Sequence, residues 1–264
     1  MTQNLKNMDI QIELGRRKYR SNLSDGLDIS IPLKPDGPRA WYVDALHITP
    51  VKSAQFNGSV ADGGDVNFNQ IEFNPHGHGT HTESIGHITK EVISINTVLT
   101  QFFFEASLIT VKPEIYSSTE QPFRKTGDLI ITLNSLQQAA SEWTEALVIR
   151  TLPNGVEKRT RNYSNTNPPY FDPKAIAFLR KHGVKHLLTD LPSVDRESDG
   201  GKLLAHRAFW LGGNPDDEFC TISEMVYIDN EIRDGHYLLN MQIAPFENDA
   251  SPSKPVLYPL TAID

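Results

Sequence analysis

The chain has 264 residues, enough for one large domain or two small ones. Hydrophobic residues make up 38% and charged residues 22%, a balance that supports a packed core and excludes disorder over most of the chain. A net charge of −8 disfavours nucleic-acid binding through a broad basic surface, and a single cysteine, Cys220, excludes both a disulfide framework and a cysteine-rich zinc module.

Residues 9–14 and 27–31 alternate polar and apolar side chains, which predicts strands with one solvated face. Residues 41–48, 68–73 and 107–111 are further strand candidates. Residues 128–133 and 146–151 are short apolar runs of the kind found in buried strands. A weaker helix is expected over residues 135–143. The clearest helix covers residues 172–183, where Asp172 can cap the first N–H groups, Pro173 suits the first turn and Gly183 suits the left-handed stop. Residues 184–190 then read as a strand. Near the C-terminus, residues 221–228 and 236–243 read as the two arms of a hairpin, with Asp234-Gly235 supplying turn chemistry.

No repeat or long linker interrupts this pattern, so one mixed α/β domain, rich in strands, is expected over residues 1–264. Residues 1–14 lack the apolar stretch of a signal peptide. The most apolar internal run, residues 92–104, contains Ser94, Asn96, Thr97, Thr100 and Gln101 and is too short and too polar to span a bilayer. A cytoplasmic protein without membrane association is expected.

The chemically informative segment is residues 74–87, NPHGHGTHTESIGH. Four of the nine histidines, His76, His78, His81 and His87, fall within twelve residues. Gly77 and Gly79 permit a tight backbone that can turn several side chains to one point. Neutral imidazole is the commonest metal-binding side chain, and Glu83 adds a hard anionic oxygen. The donor types suit zinc, manganese or ferrous iron. His182, His186 and His236 fall in helix or strand patterns and are expected in packing or surface roles. Ser251 to Lys254 fits S-x-x-K by letter only, since Pro252 argues against a helical placement.

Gly79-Thr80-His81, Glu83 and His87 resemble the H-x-G-T-H-x-D-x-P-x-H signature of the cyclase-like metal-dependent hydrolases, the family of bacterial kynurenine formamidase and isatin hydrolase. Asp190-Leu-Pro-Ser-Val-Asp195 resembles the family's D-x-P-S-x-D segment, and Ala205-His206 and Ser223-Glu224-Met225 its second histidine and glutamate. The first signature histidine falls on Gly77, the aspartate on Glu83 and the proline on Ile85. The resemblance implies a swivelling β/β/α domain, a homodimer, and hydrolysis of a small amide, formamide or lactam with a bound divalent ion, zinc or manganese. Metal ligands would be His81 and Glu83 with His76 or His78. His87, His206 and Glu224 would supply acid–base groups or a second metal position. Asp190, Ser193 and Asp195 are expected to shape a loop. The rival expectation, favoured by Gly77, is a small-molecule-binding protein that keeps the fold without a metal.

Overall fold

The computed structural model describes residues 7–15, 17–121, 123–140 and 142–263. Among them, seven strands close into a barrel: β1 (His81–Glu83), β2 (Phe103–Val111), β3 (Ala146–Thr151), β4 (His186–Thr189), β5 (Thr221–Glu224), β6 (Gly235–Ile243) and β7 (Ala250–Pro259). The order around the ring is β6-β2-β3-β4-β5-β1-β7 and back to β6. Strands β2 to β5 run parallel to their neighbours, and the other pairs are antiparallel. Parallel neighbours need crossover connections. Three helices provide them: α1 (Leu133–Ala139), α2 (Pro173–Lys181) and α3 (Leu204–Trp210).

The apolar run of β3 shows how the layers form. All six of its residues are buried. Leu147 and Ile149 pack with Leu136, Ile176, Leu179 and Phe209 from the three helices. Ala146 and Val148 face the other way, onto Leu108, Leu188, Leu239 and Met241 inside the barrel. The two-residue period of a strand assigns the two faces, and each fully buried leucine or isoleucine stabilises by about 1.5–3 kcal/mol. Helix α2 starts and stops as its sequence predicts. Asp172 accepts from the Lys174 N–H at 2.9 Å, Pro173 opens the helix, and Gly183 sits at φ +87° beyond its end.

Three expectations are corrected. Residues 41–48 are not one strand: Trp41 and Tyr42 take φ of 60° and 61° in a turn, and only His47–Pro50 is extended. The helix expected over 135–143 begins earlier, at Leu133, because Thr132 and Ser135 form a reciprocal capping box; residue 141 of that stretch lies outside the described residues. Residues 221–228 and 236–243 do not pair with each other. Strand β5 lies between β4 and β1, whereas β6 pairs with β7 and β2. Strand β7 itself has no period-two signal, since Pro252 and Pro255 interrupt it. The run 92–104 holds a one-turn helix, Ile95–Val98, and the start of β2; Ile95 and Phe104 are buried, while Val92 and Phe103 are exposed. No helix among the described residues is long and apolar enough to cross a membrane.

Two pairings set up the site. On one edge of β1, Glu224 of β5 stands opposite His81. On the other edge, Ala250 of β7 stands opposite Glu83. Thr82 points into the barrel and hydrogen-bonds Ser223 at 2.7 Å. His81 and Glu83, on the opposite face, therefore point toward the helix layer, where His206 lies in the first turn of α3.

Candidate metal centre

The loop entering β1 is shaped by Asn74, whose side-chain oxygen accepts from the N–H groups of His76 at 3.0 Å and Gly77 at 2.9 Å. A side chain at position 77 has little room: a Cβ built on Gly77 falls 2.8 Å from Val43 Cγ2. Gly79 adopts φ +62°, which turns the chain into β1. His76 consequently swings onto the site. Its Nδ1 lies 3.0 Å from Glu83 Oε2 and its Nε2 2.8 Å from Asp249 Oδ2.

His78 turns the other way, and its expectation as a ligand is corrected. Its Nδ1 accepts from the Asn74 N–H at 2.9 Å, and its Nε2 donates to the Asp44 carbonyl at 2.7 Å. Both ring nitrogens are used to fasten the loop, leaving none for a cation.

The remaining imidazoles converge on Glu83, which is buried. His206 Nε2 lies 3.1 Å from Glu83 Oε1, while its Nδ1 lies 2.6 Å from Asp195 Oδ2. Asp195 also accepts from the N–H groups of Ala205 and His206, so it fixes the start of α3 and the ring together. Glu224 has one oxygen held by the Val194 N–H at 3.0 Å. His87 stacks obliquely on His76, ring centroids 4.1 Å apart, with its Nδ1 3.4 Å from Asp249 Oδ2. It is the most exposed imidazole of the group, 29% against 20% or less for His76, His81 and His206.

Charge is dense here. Burial opposes a positive His76, but hydrogen bonds to Asp249 and Glu83 outweigh it and hold the ring up at about 10. Burial likewise opposes a charged His206, yet Asp195 and Glu83 push it well above the usual imidazole range. Burial would raise Glu83, but the charges and hydrogen bonds of His87, His206 and His76 hold it well below the usual carboxylate range.

His81 tests whether a cation fits. It is fully buried, and its Nδ1 lies 3.1 Å from the Gly79 carbonyl. A carbonyl only accepts, so Nδ1 carries a proton and Nε2 is the nitrogen that faces the centre. Nε2 has no hydrogen-bond partner and lies 3.5 Å from Glu224 Oε2. A buried nitrogen and a carboxylate oxygen facing each other out of water cost free energy unless a positive charge, a proton or a metal cation, stands between them. Donor atoms of His76, His81 and Glu83 lie within 4.8 Å of one another, as do those of Glu83, His87 and His206 and, toward the pocket side, those of His76, His87 and Asp249. Side chains this close can reach the ~2.0–2.2 Å bonds of a divalent ion by small rotations, so the residues fit one.

The cluster opens onto a pocket of about 600 Å³ walled by Trp41, Val43, Arg196 and Leu203, a size suited to a small molecule. Elsewhere, Asp190 forms a buried ion pair with Lys158 at 2.8 Å and accepts from Thr151, so it braces the loop rather than facing the pocket. His186 packs against Phe104, ring centroids 4.1 Å apart, and burial lowers it to about 3. Two residues at the cluster are not expected there from the sequence: Asp195, which the D-x-P-S-x-D segment marks but which reads in the sequence only as a loop former, and Asp249, which no motif signals.

A closed barrel with imidazoles and carboxylates gathered on one face of β1 and the first turn of α3 defines a protein with a candidate divalent-cation site beside a small-molecule pocket. The Cyclase family ("Putative cyclase") matches residues 27–196, and the chain belongs to this family. It is 28% identical over 241 residues to kynurenine formamidase of Bacillus cytotoxicus, covering 90% of this chain and 99% of that one. Among solved structures it is similar to an isatin hydrolase bound to thioisatinate, with a TM-score of 0.61 and 14% identity over 90% of this chain and 93% of that one. It is also similar to a Bacillus stearothermophilus protein described as a predicted metal-dependent hydrolase, with a TM-score of 0.56 and 14% identity over 89% and 98% of the two chains. At these identities the structural likenesses establish the fold.

Proposed function

We propose that the protein is a cytoplasmic, homodimeric, metal-dependent hydrolase of a small amide, formamide or lactam. The observation that carries the reading is the buried His81 Nε2, without a hydrogen-bond partner and directed at Glu224. The names formamidase and hydrolase borne by the relatives support C–N hydrolysis as the reaction class. Exposed Val92 and Phe103 support the homodimer, since apolar surface on soluble proteins commonly marks interfaces.

His76 Nδ1, His81 Nε2 and Glu83 would hold the ion, zinc or manganese, and His206 Nε2 with Glu224 offers donors for a second position. A divalent ion there supplies an acidified water and a polarised carbonyl. Asp195 orients His206. His87, at the pocket edge and steadied by Asp249, is the imidazole best exposed to take a proton from the attacking water or give one to the leaving nitrogen. Trp41 and Val43 wall the space where the substrate's apolar part would lie.

Glu224→Gln tests the reading because it removes charge and basicity while nearly preserving shape. With Zn²⁺ or Mn²⁺ supplied, we expect a formamide, amide or lactam whose turnover falls at least about a hundredfold in the variant. A broad screen without turnover by the wild type, together with a variant of equal or higher melting temperature, would leave the binding-protein reading in its place.

A further inference from the structure

Each of the three most enclosed imidazoles of the cluster has one nitrogen turned inward, toward Glu83 or Glu224, and the other held from outside. His81 is held by the Gly79 carbonyl at 3.1 Å, His206 by Asp195 at 2.6 Å and His76 by Asp249 at 2.8 Å. The orientation of His76 is reversed relative to the other two. His81 and His206 turn Nε2 inward and are held at Nδ1, whereas His76 turns Nδ1 inward and is held at Nε2. An imidazole entering from position 76, beside the Val43 wall that crowds position 77, thus presents its other nitrogen to the centre.

A ring in that orientation needs its own acceptor at Nε2, and the barrel supplies one from far along the chain. Strand β7 pairs along β1 with Ala250 opposite Glu83, and the Ser84 N–H donates to the Asp249 carbonyl at 2.9 Å. These contacts anchor Asp249 at the end of β1, with its carboxylate against His76 Nε2. An acceptor there keeps the proton on Nε2 and leaves Nδ1 free to bind.

On the metal-dependent reading above, we propose that Asp249 is a positioning residue: it locks His76 in the Nε2–H form and so makes a histidine at position 76 serve where Gly77 has no side chain. It acts through His76 and does not touch the ion. The same oxygen, 3.4 Å from His87 Nδ1, steadies that ring as well.

The test loads the whole protein with Zn²⁺ and follows release of the ion into excess chelator. Release reports the bound state and is insensitive to proton competition in the metal-free protein. The wild type, Asp249→Asn, His76→Ala and the double variant are compared. We expect Asp249→Asn to release zinc about 10–100 times faster than the wild type. In the His76→Ala background the same substitution should change release by less than about twofold, the mark of one residue acting through another. Asp249→Ser gives the same comparison if the Asn variant does not fold. Unchanged release in Asp249→Asn, or an equal acceleration with and without His76, would overturn the proposal while leaving the metal reading intact. A wild type that binds no zinc would overturn both.

Discussion

His76 and His206 each touch two carboxylates, one at each ring nitrogen, at 2.6–3.1 Å. A carboxylate accepts and does not donate, so all four nitrogens carry protons and both rings are cations. An ion in the first position replaces the inner proton of His76, and one in the second position that of His206, so each ion bound should release one proton. Because both rings are held well above neutral pH, both protons are still present at pH 7. Each released proton makes apparent affinity rise about tenfold per pH unit, so zinc should bind at either position about tenfold more tightly for each unit gained. Competition against a fluorescent chelator at pH 6, 7 and 8 measures the slope. Calorimetry in buffers of different ionisation heat counts the protons. A flat affinity profile, or release of fewer than about one proton, would refute the argument. The metal-free protein should show the opposite trend. His76 is raised from 6.5 to about 10 in the folded state, so its contribution to stability is complete below about pH 6.5 and is lost as pH climbs through 10. Thermal melts across that window should fall for the metal-free protein.

Gly77→Ala should destabilise by about 1 kcal/mol, because the new methyl meets Val43 Cγ2 at 2.8 Å; adding Val43→Ala should remove that cost in a double-mutant cycle by denaturant unfolding. Lys158→Met leaves the buried Asp190 carboxylate without its ion-pair partner, so unfolding free energy should drop by about 3–5 kcal/mol, with urea titration as the measurement. Sedimentation at micromolar concentration should show a species of twice 29.6 kDa; a monomer would reject the dimer.

Features governed by near neighbours in the chain are legible in the sequence itself. Strand β3 is readable from six consecutive residues buried on both faces. Helix α2 is readable from Asp172, Pro173 and Gly183, because caps act within a turn of themselves. The histidine-rich loop declares a site by its own composition. Which histidine faces Glu83 is a different matter. His76 and His78 are equivalent by residue type, and the choice rests on the wall that Val43 forms and on the Asp44 carbonyl that captures His78. The hairpin expected from residues 221–243 does not form because strand pairing is non-local. Both arms are extended, but β5 finds its partners in β4 and β1. Strand β7 is hidden by its prolines, although their carbonyls still accept, Pro255 from the Ile29 N–H and Pro252 from the Ala244 N–H, both at 3.1 Å. Asp249 lies 173 residues from His76, and no spacing rule reaches that far. Only the closed barrel, by fixing β7 against β1 in a register where a one-residue slip would turn every side chain to the other face, brings that carboxylate to the imidazole.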